Sequence, residues 1–351
     1  MEMLSENLKP AFSKDNIVVL LCSDDNYAAQ LTVVLYSIIN NRVSHKNYDI
    51  IIFEDNIKQY NIDSISNLAN NCDNVAIRFV NPSNMFKKTK IRFADKRFTM
   101  AACFRLSAPY ILTNYDKVLY MDVDIICKSD ISELYDTNLQ DKYAAAVLDL
   151  SVIGATHLKD RPFYKDYIEN TIGLKEKDHY FNSGVMLMNL KTLREKIKFE
   201  DIITCASMMK YLCVDQDPLN MLFEGHMLFE GSEWNLFTYS VVNLQICIDA
   251  CPQDYQYAYY AARKSPKLIH YAGHIKPWNC PEEDFAAEFW KIARKTDVYE
   301  ILLHRLIKHE TAQISNPHNV GKMIEIARKL FPYGTRRNSI VKRILRFNKN
   351  P

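Results

Sequence analysis

Along the first 125 residues, unbroken apolar runs alternate with stretches whose apolar residues recur at helical spacing. Ile17–Cys22 (IVVLLC) is continuously apolar, which predicts a strand buried on both faces. Asp24–Asn26 turns the chain, and Tyr27–Ile39 then has the period of a helix. Tyr48–Phe53 and Val75–Val80 predict further strands, with a helix over Ile57–Leu68 between them. Met100–Leu112 is helical in pattern and leads into a fourth strand, Lys117–Met121 (KVLYM). The second half is more mixed. Ala144–Leu148, Val185–Asn189 and Leu268–Tyr271 have strand character, while Asp215–Phe223, Pro281–Arg294 and Tyr299–His309 have helical character. Alternation of this kind predicts an α/β fold with one mostly parallel sheet flanked by helices. In such sheets ligands bind outside the carboxyl ends of the strands. Three spans follow: a polar leader over 1–15, a core over 16–280, and a helical, basic C-terminal appendage over 281–351.

Composition narrows the function. A net charge of +2 on 351 residues argues against a nucleic-acid binder, which carries a broad basic surplus. The charge is uneven, since Arg336–Pro351 holds six Lys or Arg and no acid. Ile340, Val341, Ile344 and Leu345 recur there at helical spacing, so the tail reads either as a basic amphipathic helix for an anionic membrane surface or as a solvated terminus. Nine cysteines lie scattered, several in apolar runs, the pattern of reduced core thiols. With no signal peptide and no apolar stretch of membrane-spanning length, a cytoplasmic protein is expected, peripheral on the membrane if the tail docks.

The glycines are informative by position. The chain has eight, and the first is Gly154. A dinucleotide fingerprint or a P-loop needs glycines in an early strand-to-helix turn so that backbone can approach phosphate. Neither exists here. If the sheet binds a nucleotide diphosphate, a divalent metal held by carboxylates is the usual substitute.

Five short segments carry candidate chemistry. Asp122-Val123-Asp124 follows the strand Lys117–Met121, and in extended backbone residues i and i+2 face the same way, so both carboxylates can reach one Mg²⁺ or Mn²⁺. The plainer account is that acids end strands where water begins. Ser23-Asp24-Asp25-Asn26-Tyr27 ends the first strand; its polar groups can meet a base or ribose and Tyr27 can stack, while Asp25 or Asn26 would equally serve as a helix cap. His270, in the run Ile269-His270-Tyr271-Ala272-Gly273-His274-Ile275-Lys276-Pro277-Trp278, can ligate metal or sit satisfied in a core, and Lys276 can meet phosphate. Val214-Asp215-Gln216-Asp217-Pro218-Leu219-Asn220 opens a helix, where acids are favourable on dipole grounds alone. Phe181-Asn182-Ser183-Gly184, the last segment, is a polar lead into a strand.

In this order, the words SDDNY, YMDVDI, FNSGVMLMNL, DQDPLN and HYAGHIKPW resemble retaining glycosyltransferases of family 8, the group of glycogenin and the bacterial lipopolysaccharide galactosyl- and glucosyltransferases. The resemblance runs from about Ile17 to Trp278. It implies a GT-A fold and a Mn²⁺ bound by Asp122, Asp124 and His270. It implies UDP contacts from the Cys22–Tyr27 turn, notably Asp24 and Asn26, a donor contact from Arg105, and Gly273 and Lys276 at the diphosphate. Asp149, Asn182, Asp215 and Gln216 match positions around the transferred sugar, with Asp215 and Gln216 as candidate nucleophiles for retention. The donor implied is a UDP-hexose, glucose or galactose, and the acceptor a glycan or lipid-linked saccharide. Two alternatives are a catalytically silent nucleotide-sugar-binding protein on this fold and a self-glycosylating primer of glycogenin type. Asn81–Thr99 and Ile153–Asp178 are the segments expected to fold over the site as loops.

Overall fold

A computed structural model describes residues 8–93, 99–209, 211–239 and 244–315. The basic tail, Arg336–Pro351, lies outside the described residues.

The apolar run at the start of the chain becomes β1 (Asn16–Asp24), with Ile17 to Ser23 all buried. It needs apolar residues on both faces because it lies inside a seven-stranded sheet of order β3-β2-β1-β4-β7-β6-β8. The other strands are β2 (Asn47–Asp55), β3 (Val75–Val80), β4 (Lys117–Met121), β6 (Ala144–Leu148), β7 (Phe181–Asn189) and β8 (Met227–Glu230). β1 pairs in parallel with β2 and β4, β2 with β3, and β6 with β8; β7 runs antiparallel between β4 and β6. The sheet is thus mostly parallel, as its βα alternation predicts.

A second, three-stranded sheet was legible in the pattern only through its middle strand, expected over Leu268–Tyr271. It contains β5 (Ile125–Cys127), β10 (Leu268–His270) and β9 (Leu236–Phe237), with β10 in the middle. The outer strands, β5 and β9, are three and two residues long, too short for a period to show. Their placement matters: Asp122–Asp124 is the link by which the chain leaves β4 in the large sheet and enters β5 in the small one. Its backbone is held from both sides, by Asp122 N donating to Gly184 O (2.8 Å) and Tyr271 N donating to Asp124 O (3.0 Å). His270 pairs with Ile125 across the small sheet.

Three apolar clusters fill the molecule. The largest lies on the main sheet. A second joins the Leu150–His157, Leu244–Ala250 and Gln253–Lys264 helices, and a third packs Phe289, Trp290 and Leu302 from the C-terminal helices against Ala29 and Val33 of the Ala28–Asn41 helix. The C-terminal region therefore rests on the first helix of the core. Arg305 donates to Asn26 O (2.8 Å) and Gln30 Oε1 (3.2 Å), reaching back to the turn after β1.

Two local expectations are revised. The helix expected from Pro281 begins only at Ala286, because Phe285 takes a left-handed conformation (φ 58°) and Asp284 is drawn into a pair with Arg263. Ile153–Asp178 is not a loop: it carries helices at Leu150–His157 and Pro162–Asp166, then a wider helical turn at Tyr167–Ile172 ended by Gly173 at φ 81°. Among the described residues, no helix is long and apolar enough to cross a membrane.

Candidate functional site

The carboxyl ends of β1 and β4, the start of β7 and the end of β10 open into one cleft of about 580 Å³. Cys22, Asp24, Tyr27, Arg105, Asp122, Asp124, Asp149, Asn182, Asp215, Gln216, His270, Gly273 and Lys276 all line it. Of the residues singled out in the sequence, Asn26 does not. It is exposed, and its backbone oxygen receives Arg305. The cap of the turn is Asp24, whose Oδ1 accepts from Asn26 N (3.0 Å) and Tyr27 N (3.2 Å). Asp25 instead accepts from Lys58 N and Asn61 Nδ2.

Asp122, Asp124 and His270 converge, their ligating atoms all within 4.8 Å of one another. His270 Nε2 lies 3.2 Å from Asp124 Oδ1 and 3.7 Å from Asp122 Oδ2. Which nitrogen of the ring carries a proton follows from a chain of bonds that starts at backbone. Gly184 N–H donates to Asn182 Oδ1 (2.9 Å), fixing that amide. Asn235 Nδ2 donates to the same oxygen (2.9 Å), so Asn235 Oδ1 is the atom facing His270 Nδ1 at 2.8 Å. Nδ1 must then be the protonated nitrogen, and Nε2 presents a lone pair to the carboxylates. Asp124 Oδ1, buried, has no hydrogen-bond partner. A second proton on the ring or a cation would satisfy these facing acceptors; Asp122 Oδ2, aimed at the same point, favours the cation. The donor set of two carboxylates and one imidazole suits a hard or borderline divalent metal.

Glycine is required beside this triad. A Cβ on Gly184 would stand 2.4 Å from His270 Cε1, 2.7 Å from Asp122 Oδ2 and 2.9 Å from Asn182 Oδ1. The other oxygens of the acids are held by cations. Asp122 Oδ1 accepts from Arg105 (2.8 Å) and from the Tyr120 hydroxyl, and Lys276 Nζ donates to Asp124 Oδ2 (2.5 Å) and to Tyr271 O. Burial raises the pKa of Asp122 although Arg105 opposes it, and its side chain keeps 26% of its surface open to the cleft. Burial acts the same way on Asp124, but the Lys276 ammonium outweighs it and holds that carboxyl well below its usual range. Burial also pushes the Cys22 thiol far up, so Cys22 contributes a neutral packing surface.

On the other side of Asp122, the second group of site residues forms one network. Arg105 Nε lies 3.1 Å from Asp215 Oδ2, which also accepts from Ser183 Oγ (3.2 Å). Gln216 Oε1 accepts from Ser183 N (3.0 Å) and Asn182 Nδ2 (2.9 Å), and Gln216 Nε2 donates to Asp149 Oδ2 (3.0 Å) and Tyr180 Oη (3.2 Å). The backbone donor at Ser183 leaves only this orientation of the amide. Behind it, Tyr180 and Tyr167 both donate to Asp217, whose carboxyl burial pushes up in pKa. Ser183, Gly184, Tyr120 and Asp217 stand within the five sequence words but were given no role there, and Asn235, which precedes a two-residue strand, was not singled out at all.

A model of glycosyl transferase family 8 matches residues 18–280. The chain belongs to that family. Among relatives of this family 8 glycosyltransferase, lipopolysaccharide 1,2-glucosyltransferase of Escherichia coli is 26% identical over 305 residues, covering 84% of this chain and 81% of the relative. General stress protein A of Bacillus subtilis (strain 168) is 25% identical over 274 residues, 76% of this chain and 89% of its own. Among solved structures, the bifunctional glycosyltransferase WbbM superposes with a TM-score of 0.76 at 29% identity, over 86% of this chain and 53% of WbbM, so the chain spans about half of that protein. The galactosyltransferase LgtC, solved with donor and acceptor sugar analogues, gives 0.64 at 25% identity over 80% of this chain and 96% of LgtC. The GT-A fold and the family expected from the five sequence words are both met.

Proposed function

We propose that this glycosyltransferase moves a hexose, glucose or galactose, from a UDP-sugar to a glycan or lipid-linked saccharide with retention of configuration. Asp122, Asp124 and His270 would hold a divalent cation, Mn²⁺ or Mg²⁺. The observation that carries this reading is the buried, unpartnered Asp124 Oδ1 facing the lone pair of His270 Nε2. When bound there, such a cation supplies positive charge to the oxygens of the departing diphosphate.

The chain's own groups do the rest. Lys276, already held at Asp124, brings a second positive charge to the end where UDP would leave. Cys22 and Tyr27 supply neutral and aromatic surface for the base, with Asp24 at the ribose and Gly273 leaving room at the diphosphate. Arg105 ties the metal side of the cleft to the sugar side through Asp122 and Asp215. Asp149, Asn182, Asp215 and Gln216 surround the place of the transferred hexose. An amide oxygen has two lone pairs, and those of Gln216 are engaged by Ser183 N–H and Asn182. We therefore assign Gln216 to orienting the sugar rather than attacking it, which leaves Asp215 as the candidate nucleophile beside attack by the acceptor hydroxyl on the face that UDP leaves.

The family relationship to lipopolysaccharide glucosyltransferases supports a saccharide acceptor of that kind. The membrane part of the reading rests on the sequence of Arg336–Pro351 alone. Hydrolysis of UDP-glucose, UDP-galactose, UDP-GlcNAc and GDP-mannose, with Mn²⁺ and with chelator, tests the proposal. Turnover of a UDP-hexose that needs the cation is expected. Equal rates in chelator would contradict the metal assignment, and turnover of GDP-mannose alone would contradict the donor.

A further inference from the structure

The cleft contains more than a donor needs. Beyond Asp149 its wall is the Leu150–His157 helix, followed by Arg161 and the Pro162–Asp166 helix, and Arg161, Tyr164, Tyr167 and Leu212 line it there. This wall is held firmly. Asp149 caps the helix through Ser151 N (3.1 Å) and Val152 N (3.2 Å) while binding Gln216 with its other oxygen. Gly154 lies so close to the Leu244–Ala250 helix that a Cβ would fall 1.9 Å from Cys247 O. Tyr167 donates to Asp217 (2.7 Å) and accepts from Leu212 N (3.1 Å), and Phe163 stacks on its ring at 5.9 Å. The helix is on the order of 12 Å long, and Arg161 follows its far end on this fixed support.

Charge distinguishes this end of the cleft. Six aspartates line the cavity, and every one has a partner: Asp24 and Asp149 cap helices, Asp122 and Asp215 share Arg105, Asp124 holds Lys276, and Asp217 holds two tyrosines. Arg161 is different. Its guanidinium, half-buried in the wall, makes no hydrogen bond or ion pair with any described residue. Tyr164 likewise offers an unengaged hydroxyl beside it. Arg105 and Lys276 are neutralised within the protein, which leaves Arg161 the lining Lys or Arg with donors to spare, five of them in a planar fork that fits phosphate or carboxylate.

We infer that this wall is the acceptor subsite and that it selects a saccharide carrying an anionic group, phosphate or carboxylate, through Arg161, with Tyr164 and Tyr167 against the sugar. The inference rests on the glycosyltransferase reading above and adds the charge of the acceptor to it.

The test is calorimetric titration of the full chain, loaded with UDP and Mn²⁺, with four probes: methyl glucoside, glucose 6-phosphate, glucuronate and inorganic phosphate. One charge-assisted contact predicts that an anionic sugar binds about tenfold tighter than methyl glucoside. The better of glucose 6-phosphate and glucuronate identifies the anion. Arg161→Gln should remove the preference and Arg161→Lys should keep part of it, with UDP binding as the check that each variant is folded. Equal binding of neutral and charged sugars, no binding of any charged sugar, or a preference that survives Arg161→Gln would overturn the inference. Inorganic phosphate binding as tightly as the charged sugars would overturn the saccharide part. Failure of wild-type UDP binding or donor hydrolysis would instead strike the donor reading, so the two failures are separable.

Discussion

The two ends of the cleft are built by different means. At the metal end, side chains come from the termini of β1, β4, β7 and β10, and nearly every polar atom is already paired with another protein group: Asp122 with Arg105 and Tyr120, Asp124 with Lys276, His270 with Asn235. At the far end, helices form the wall and Arg161 projects from a turn with its donors uncommitted. The first arrangement is preorganised for one charge distribution, as a site that stabilises a leaving diphosphate must be. The second waits for its partner, as a recognition surface does. On the proposed reading, donor chemistry rests on the paired strand termini and acceptor choice on the helical wall.

The strongest way to break this contrast is Asp124→Ala. Losing that carboxylate removes a candidate ligand and leaves Lys276 without its partner. Cation-dependent hydrolysis of UDP-hexose should fall by about a thousandfold or more, several kcal/mol of transition-state stabilisation. Residual turnover above a tenth of wild type would show that the triad is not where the cation acts.

Gly184→Ala asks whether the metal end is as closely packed as it looks. The added methyl would collide with His270 Cε1, Asp122 Oδ2 and Asn182 Oδ1, at 2.4, 2.7 and 2.9 Å. Mn²⁺ affinity should drop by about a hundredfold, at the upper end of what disturbing a ligand's surroundings costs. Binding measured by Mn²⁺ electron paramagnetic resonance checks it, and unchanged affinity would mean that the triad relaxes easily.

Asn235→Ala is the subtler form of the same question. It removes the acceptor that holds the proton on His270 Nδ1, so Nε2 need no longer be the lone-pair nitrogen. A loss of about tenfold in Mn²⁺ affinity is expected, recovered in part by Asn235→Gln. Equal affinity in wild type and both variants would remove the tautomer argument.

The contrast also explains what could be read from sequence. The metal end was legible because parallel strands need continuous apolar runs, and polar words such as DVD and HYAG stand out where those runs stop. Asp122, Asp124, His270 and Lys276 were found that way, Cys22 only through the family resemblance, and they meet in space. The cap of the turn was misplaced on Asp25 or Asn26, because an Asp-Asp-Asn run does not show which member caps; it is Asp24. Asn235 escaped because it precedes a strand of two residues. The segment 153–178 was taken as loop for a similar reason: its helices are short, one is wound more widely, and their apolar faces pack on the Leu244–Ala250 helix far along the chain. Their shape is set by contacts that no local pattern contains.

The smallest expected effect falls at the junction between the two ends. Tyr167 belongs to the acceptor wall, but its hydroxyl donates to Asp217, which in turn holds Tyr180, and Tyr180 accepts from Gln216. Tyr167→Phe keeps the ring and its stacking on Phe163 while breaking the bonds to Asp217 and Leu212 N. Asp217 retains Tyr180 and the Cys213 N–H, so the carboxylate is not orphaned and the cost should be only about 1 kcal/mol. If the wall is a separate recognition surface, that loss appears as a several-fold rise in the KM for acceptor, with donor hydrolysis nearly intact. A fall in donor hydrolysis as large as the change in acceptor KM would mean that the chain Tyr167, Asp217, Tyr180, Gln216 transmits to the sugar site, and that the two ends of the cleft act as one unit.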